Sequence, residues 1–287
     1  MIPFGIKKYK MKKIIEKSIG LYFNSLAIIN PALAAKKGFN LFCNPMVQPL
    51  KHYQIAFLET GKNIILDYDG TKIQTYKWGN GSKKILLIHG WASHSFRWKA
   101  TVENLIENDF TVYAFDAPAH GLSSGKILHL ILYSKIIALF IDQHKEVEYI
   151  ISHSIGGFAT IYWLFQNQQN NIKKVVVMGA PGEASDFFDF YKKTLGLTDK
   201  TLKIMVAEFS KLLGYEPSYF SASTFAKQVQ TQGLIIHDKE DKDTSYENSI
   251  KLNKNWENSK LMLTQGLGHS LKSKKLLDDM VQFILEK

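Results

Sequence analysis

The chain has one cysteine, Cys43, and one arginine, Arg97, in 287 residues. A lone cysteine excludes an internal disulfide framework and any multi-cysteine metal site. A lone arginine removes the guanidinium forks that read phosphates and guanines in pairs, although the net charge is +10. Long apolar runs are missing as well: the uncharged stretch Ser18–Ala35 contains two asparagines and a proline, which disfavours a membrane-spanning helix. No repeat, low-complexity tract or linker divides the chain. What remains is ordinary globular composition, 45% hydrophobic and 22% charged, unlike a disordered, collagen-like or coiled-coil chain.

The charge is unevenly placed. Residues 1–50 hold eight lysines (7, 8, 10, 12, 13, 17, 36 and 37) against Glu16, a net of +7. The body is therefore nearly neutral, and no nucleic-acid partner is expected of it. Within the basic segment, Met11, Ile14, Ile15, Ile19, Tyr22, Leu26 and Ile29 recur at steps of three and four, on one helical face, and Asn30-Pro31 ends or kinks the helix. Three readings of this extension over residues 1–50 stand side by side. It packs its stripe on the main domain, it lies on an anionic membrane surface through residues 1–35, or it is a signal peptide with an Ala32-Leu33-Ala34 site. Glu16 and Asn24 interrupt the third pattern, so a cytoplasmic protein, with or without membrane-surface contact, is the expectation.

From residue 64 onward short β-rich runs alternate with helical stretches, the pattern of a mostly parallel sheet covered by helices. The strands are expected at Ile64–Leu66, Lys72–Lys77, Lys84–Ile88, Thr111–Phe115, Val147–Ser152, Lys174–Met178, Gly233–His237 and Leu261–Thr264. Between Met178 and Gly233 no good strand occurs. An aromatic-rich helical cap over about 182–228 is expected there, inserted over one end of the sheet. In it Leu202, Met205, Val206, Phe209, Leu212 and Leu213 share a face, with Thr198 as N-cap and Gly214 as stop.

Chemistry concentrates at strand ends. In Ile151-Ser152-His153-Ser154-Ile155-Gly156-Gly157 a strand runs into a helix, and a serine at such a turn is strained so that its Oγ projects, with small residues needed two places either side. The Ile155 N–H then points where an oxyanion would form. His89-Gly90-Trp91 ends an earlier strand: Gly90 permits a turn in which the Trp91 amide becomes a second oxyanion donor, while His89 fixes the loop. A serine hydroxyl also needs a base, and the base an acid. His269, flanked by Gly268 and a helix start, supplies the first; Asp241 supplies the second, with Asp238 as a competitor.

These blocks, with Asp116-Ala-Pro-Ala-His-Gly121 between them, resemble the α/β-hydrolase fold family over roughly residues 60–287. The resemblance implies an α/β-hydrolase domain over residues 51–287. Its segment His237-Asp238-x-x-Asp241 is similar to the family's acid loop and selects Asp241, and Ser152 stands where the family's elbow has glycine. The expected function is a serine hydrolase cleaving a small-molecule carboxylic ester through an acyl-enzyme, with an apolar acyl or alcohol group and neither metal nor organic cofactor. Amide or C–C hydrolysis and acyl transfer use the same triad. A catalytically silent binding protein and a membrane-surface lipid hydrolase are the alternatives.

Overall fold

A computed structural model describes residues 4–286, with side chains at Met11 and from Lys13 to Glu286. The side chains of the lysines at 7, 8, 10 and 12 thus lie outside the described residues. Helix α1 (Phe4–Ile29) stops at Asn30, whose side chain accepts from the Leu33 amide and caps α2 (Pro31–Phe42). After α3 (His52–Leu58) come β1 (Lys62–Tyr68), β2 (Thr71–Trp78), β3 (Lys83–Ile88), α4 (Lys99–Glu107), β4 (Phe110–Phe115), α5 (Leu130–Gln143), β5 (Tyr149–His153), α6 (Ile155–Gln166) and β6 (Lys174–Met178). Then follow α7 (Ala184–Leu195), α8 (Asp199–Leu213), α9 (Ala222–Ala226), β7 (Gln232–Asp238), α10 (Tyr246–Asn255), β8 (Ser259–Thr264) and α11 (Lys274–Leu285). All eight expected strands are present.

The chain forms two compact units. The sheet unit comprises Pro45–Gly182 and Ala222–Lys287. Its eight strands run in the order β1-β2-β4-β3-β5-β6-β7-β8, antiparallel at β1/β2 and β2/β4 and parallel from β4 to β8. The central strands are apolar without alternation because both faces are covered; β4 and β6 are buried at every position. One core of Ile85, Leu87, Val112, Ile151, Val176 and Ile236 packs against Leu276, Met280 and Phe283 of α11. Parallel order brings the ends of β3, β5 and β7 and the loop after β8 to the same edge of the sheet, where such folds bind ligands.

The helical unit joins the chain up to Asn44 with Glu183–Ser221. The expected N-terminal extension and the expected insertion thus contribute to one body, and α9 belongs to the sheet unit. Phe23, Leu195, Leu197 and Met205 form its core, with Ile19, Leu41 and Tyr191 against them. Gly20 lets α1 approach α7, since a Cβ there would lie 1.9 Å from the Leu195 carbonyl oxygen. Asn24, the polar break in the apolar run, donates to the Gly196 carbonyl and accepts from the Thr198 amide, tying α1 to the turn between α7 and α8. Thr198 caps α8, and Gly214 ends it at φ 80°.

The structure departs from one of the three readings of the N-terminal helix. The seven-residue stripe of α1 does not pack inward: Met11, Ile14, Ile15, Tyr22 and Ile29 are exposed, and the face that is buried carries Gly20, Phe23 and Ala27. Ile19 and Leu26, at the border of the two faces, are half-buried. The stripe of α8 behaves as expected, burying Met205 and Phe209.

Candidate active site

Ser154 sits between β5 and α6 at φ 54°, ψ −128°, a left-handed conformation that a non-glycine residue adopts only under constraint. The constraint is crowding. A Cβ on Gly156 would lie 2.3 Å from the His89 carbonyl oxygen, and one on Gly157 2.9 Å from Val177. Ser152 is buried where a glycine was the family pattern, and its hydroxyl donates to the Val176 carbonyl at 3.1 Å, so the substitution leaves no polar atom unsatisfied. Ile155 is the first residue of α6, so its N–H is among those with no intrahelical partner.

Gly90 does not lie in the left-handed region. Its glycine is demanded by space: a Cβ would meet Ser154 Cβ at 2.8 Å and His153 Nδ1 at 2.9 Å, so the backbone leading to Trp91 abuts the serine. His89 is fully buried, and its ring is spent on this turn. Nδ1–H donates to the Gly90 carbonyl at 2.7 Å, and Nε2 accepts from the Ala117 amide at 2.9 Å. Burial holds its pKa well below the ordinary imidazole value, so the ring is neutral. Beneath it Asp116 accepts from the Ser95 amide and hydroxyl, the Tyr76 hydroxyl and the Leu122 amide, which shapes the loops without reaching Ser154.

His269 lies with Nε2 3.1 Å from Ser154 Oγ and Nδ1 2.7 Å from Asp241 Oδ2. Asp241 is the acid brought to the histidine. Asp238, its competitor, is buried and accepts from the Thr264 hydroxyl and the Leu267 and Glu240 amides, so it anchors the loops after β7 and β8. Burial alone would raise the Asp241 pKa. Hydrogen bonds from His237, His269 and the Thr244 and Asp243 amides outweigh it and hold the carboxyl well below the usual range. Thr244 Oγ1 adds a contact of 3.0 Å to the same carboxylate oxygen.

Two site residues had no role in the sequence reading. His153 is buried, with Nδ1 2.7 Å from Arg97 Nη1 and Nε2 2.7 Å from the His269 carbonyl oxygen. A guanidinium can only donate, so Nδ1 must accept, and the remaining proton on Nε2 is given to the His269 carbonyl. Burial and the Arg97 charge keep the His153 pKa well below its ordinary value, consistent with that tautomer. Arg97 also donates from Nη2 to the Ser270 carbonyl at 3.2 Å and stacks 4.7 Å from the Trp98 ring centroid. Burial pushes its pKa down to about 10. The one arginine of the chain therefore ties together the loop after β3, the serine turn and the histidine loop. Its rarity is the signal that could have singled it out.

Asp241, Asp243 and His269 are the group among the described residues whose ligand atoms approach within 4.8 Å, but both Asp241 oxygens are already occupied by protein donors. Cys43 is buried, its thiol pushed up to about 12 by burial. Neither arrangement offers an open set of ligands for a metal. No helix among the described residues is long and apolar enough to cross a membrane.

Comparison with known proteins agrees with this architecture. The family model described as "Serine aminopeptidase, S33" matches residues 79–215. The chain is 31% identical over 94 residues to the dihydrolipoyllysine-residue acetyltransferase component of the acetoin cleaving system of Cupriavidus necator, covering 32% of this chain and 25% of that protein. It is 28% identical over 119 residues to a pimeloyl-[acyl-carrier protein] methyl ester esterase of Vibrio parahaemolyticus, covering 40% of this chain and 44% of that one. The matches thus span less than half the length of these two curated relatives. The solved α/β hydrolase domain-containing protein 10 from mouse aligns over 78% of this chain and 96% of its own, at TM-score 0.59 and 15% identity, a likeness of fold. With that shared sheet and the family model across residues 79–215, the chain has the α/β-hydrolase fold.

Proposed function

We propose that the protein is a serine hydrolase that cleaves carboxylic esters through an acyl-enzyme. The observation that carries this is the unbroken chain Ser154 Oγ, His269 Nε2, His269 Nδ1, Asp241 Oδ2, at 3.1 and 2.7 Å, with the serine held in its strained turn. In this reading Ser154 Oγ attacks the ester carbonyl carbon while His269 Nε2 takes its proton. Asp241, ionised, accepts from Nδ1–H and stabilises the imidazolium. The amides of Trp91 and Ile155 receive the oxyanion, worth roughly 3 kcal/mol per donor in enzymes where one was removed. The C–O bond breaks, the alcohol takes the proton from Nε2, and water repeats the sequence on the acyl-serine to release the acid.

Arg97 and His153 are positioning residues in this scheme. They hold the His269 backbone against the serine turn and touch no substrate. The esterase name of a relative favours an ester over an amide or a C–C bond, and the acetyltransferase name of another keeps acyl transfer as a variant of the same chemistry. An apolar acyl or alcohol group is the first preference to test. Of the insertion's rings, Phe188, Phe209 and Phe220 are buried in their own unit, while Phe190 is exposed.

Turnover of p-nitrophenyl butyrate by the wild type and its loss in Ser154→Ala test the assignment, alongside labelling of Ser154 by a fluorophosphonate. A folded wild-type protein that is neither labelled nor active would instead be a binding protein on this fold. A panel of esters of increasing acyl length then reads the apolar preference.

A further inference from the structure

Helix α1 is apolar on two opposite faces and uses only one. Gly20, Phe23 and Ala27 fill its contact with the rest of the helical unit. On the other side Ile14, Ile15, Leu21, Tyr22, Ile28 and Ile29 are between 47% and 81% exposed. At 1.5 Å per residue these six mark a stripe ~22 Å long. Single exposed apolar side chains need no explanation, but a band of this length, broken by Ser18 and Ser25, is characteristic of an interaction surface.

The charge beside the band selects the partner. Lys13 and Lys17 lie along one edge of the stripe, and Lys36 and Lys37 extend from α2. Lys17 is held by the Lys193 carbonyl, and Lys37 Nζ donates to the Tyr22 hydroxyl at 2.9 Å and lies 5.5 Å from its ring centroid, so both cations are fixed near the band. Glu16 is the single acid of residues 1–50, whose net charge is +7. A second copy of this chain meeting the band face to face would set that charge against itself. A lipid surface with anionic headgroups offers both halves of the match: the apolar side chains enter the headgroup–acyl boundary and the lysines meet phosphates.

We propose that the outward face of α1 docks the protein on an anionic lipid surface. An apolar stripe and a basic border together provide the two signals that stable peripheral attachment requires, where either alone is marginal. The proposal does not depend on the esterase reading, since none of its residues belongs to the Ser154 site.

The test uses the full chain and co-sedimentation with phosphatidylcholine vesicles, with and without phosphatidylglycerol. Binding at least about tenfold tighter to the phosphatidylglycerol vesicles is expected, weakening as salt rises because exposed charges are screened within about 10 Å at 0.1 M. Ile15→Asn/Ile29→Asn and, separately, Leu21→Asn/Ile28→Asn should each lose about tenfold or more of this binding. Their melting temperature and fluorophosphonate labelling should stay at wild-type values, because the altered side chains face water. Absent binding by the wild type, equal binding by both double variants, or a wild-type dimer that both variants convert to monomer would each overturn the proposal.

Discussion

In the sheet unit, polar side chains are buried: His89, Asp116, His153 and Asp238 are at most 4% exposed. In the helical unit, apolar side chains are in water, with Ile14, Leu21, Ile28 and Ile29 at least 66% exposed. The two regions invert the usual sorting in opposite directions. The buried polar atoms are almost all engaged: the His89 ring, the Asp116 carboxylate and both His153 nitrogens have partners, so their desolvation is compensated and the loops they hold become rigid. The exposed apolar band has no such compensation within its own unit. A buried polar cluster explains itself by its hydrogen bonds, whereas an exposed apolar one points outside the chain.

The largest effect expected in the sheet unit is chemical. Ser154→Ala should lower kcat/KM for p-nitrophenyl butyrate by about a thousandfold or more, and Asp241→Asn by a similar factor, with unchanged circular dichroism. Asp238→Asn is the contrasting variant: a lowered melting temperature is expected, because it anchors loops without reaching His269. In the helical unit the corresponding contrast is between the two faces of α1. Phe23→Ala should cost about 3–4 kcal/mol in urea unfolding, while Ile15→Asn, one helical face away, should stay within about 0.5 kcal/mol. Equal costs would erase the distinction between the faces.

Arg97 probes how the buried network serves the site. Arg97→Met should lower kcat about ten- to a hundredfold with KM little changed, and Arg97→Lys should restore part of it, as expected for a group that places His269. A purely structural role would lower the melting temperature and leave the kcat of the folded fraction intact.

The smallest effect is on acid stability. His89 and His153 are buried and neutral, with pKa values well below the ordinary 6.5. The unfolded chain therefore binds more protons below pH 6.5, and stability falls as pH drops through that value, by roughly 1 kcal/mol per histidine between pH 7 and 5.5. The depressed Asp241 carboxyl acts in a lower window. Its stabilisation is complete above about pH 5 and fades only below it, so loss of stability near pH 6 belongs to the histidines. Urea unfolding at stepped pH measures both, and His153→Asn should flatten the upper window.

Much of this was legible in residue order because it is local. The strand runs, the small residues around Ser154, the Thr198 cap and the Gly214 stop each act within one turn or one strand. The family resemblance selected Asp241 over Asp238, whereas the contacts that separate the two come from distant loops: Thr264 and Leu267 donate to Asp238, and Asp241 lies against His269. The roles of Arg97 and His153 are not local, since their partners lie 56 and 116 residues away in the chain. The joining of α1 and α2 with the insertion was equally hidden, resting on side chains such as Asn24, which reaches Gly196 and Thr198.

Residue order by itself determined that this chain builds a mostly parallel sheet, that a serine turn, an acid loop and a glycine-flanked histidine follow in that order, and that the N-terminal helix carries a basic, apolar stripe. Only tertiary structure decided which way the stripe faces. Periodicity says that a helix has an apolar face, but burial depends on what another part of the chain presents, and Leu195 and Met205 meet the Phe23 side of α1 and leave the stripe to solvent.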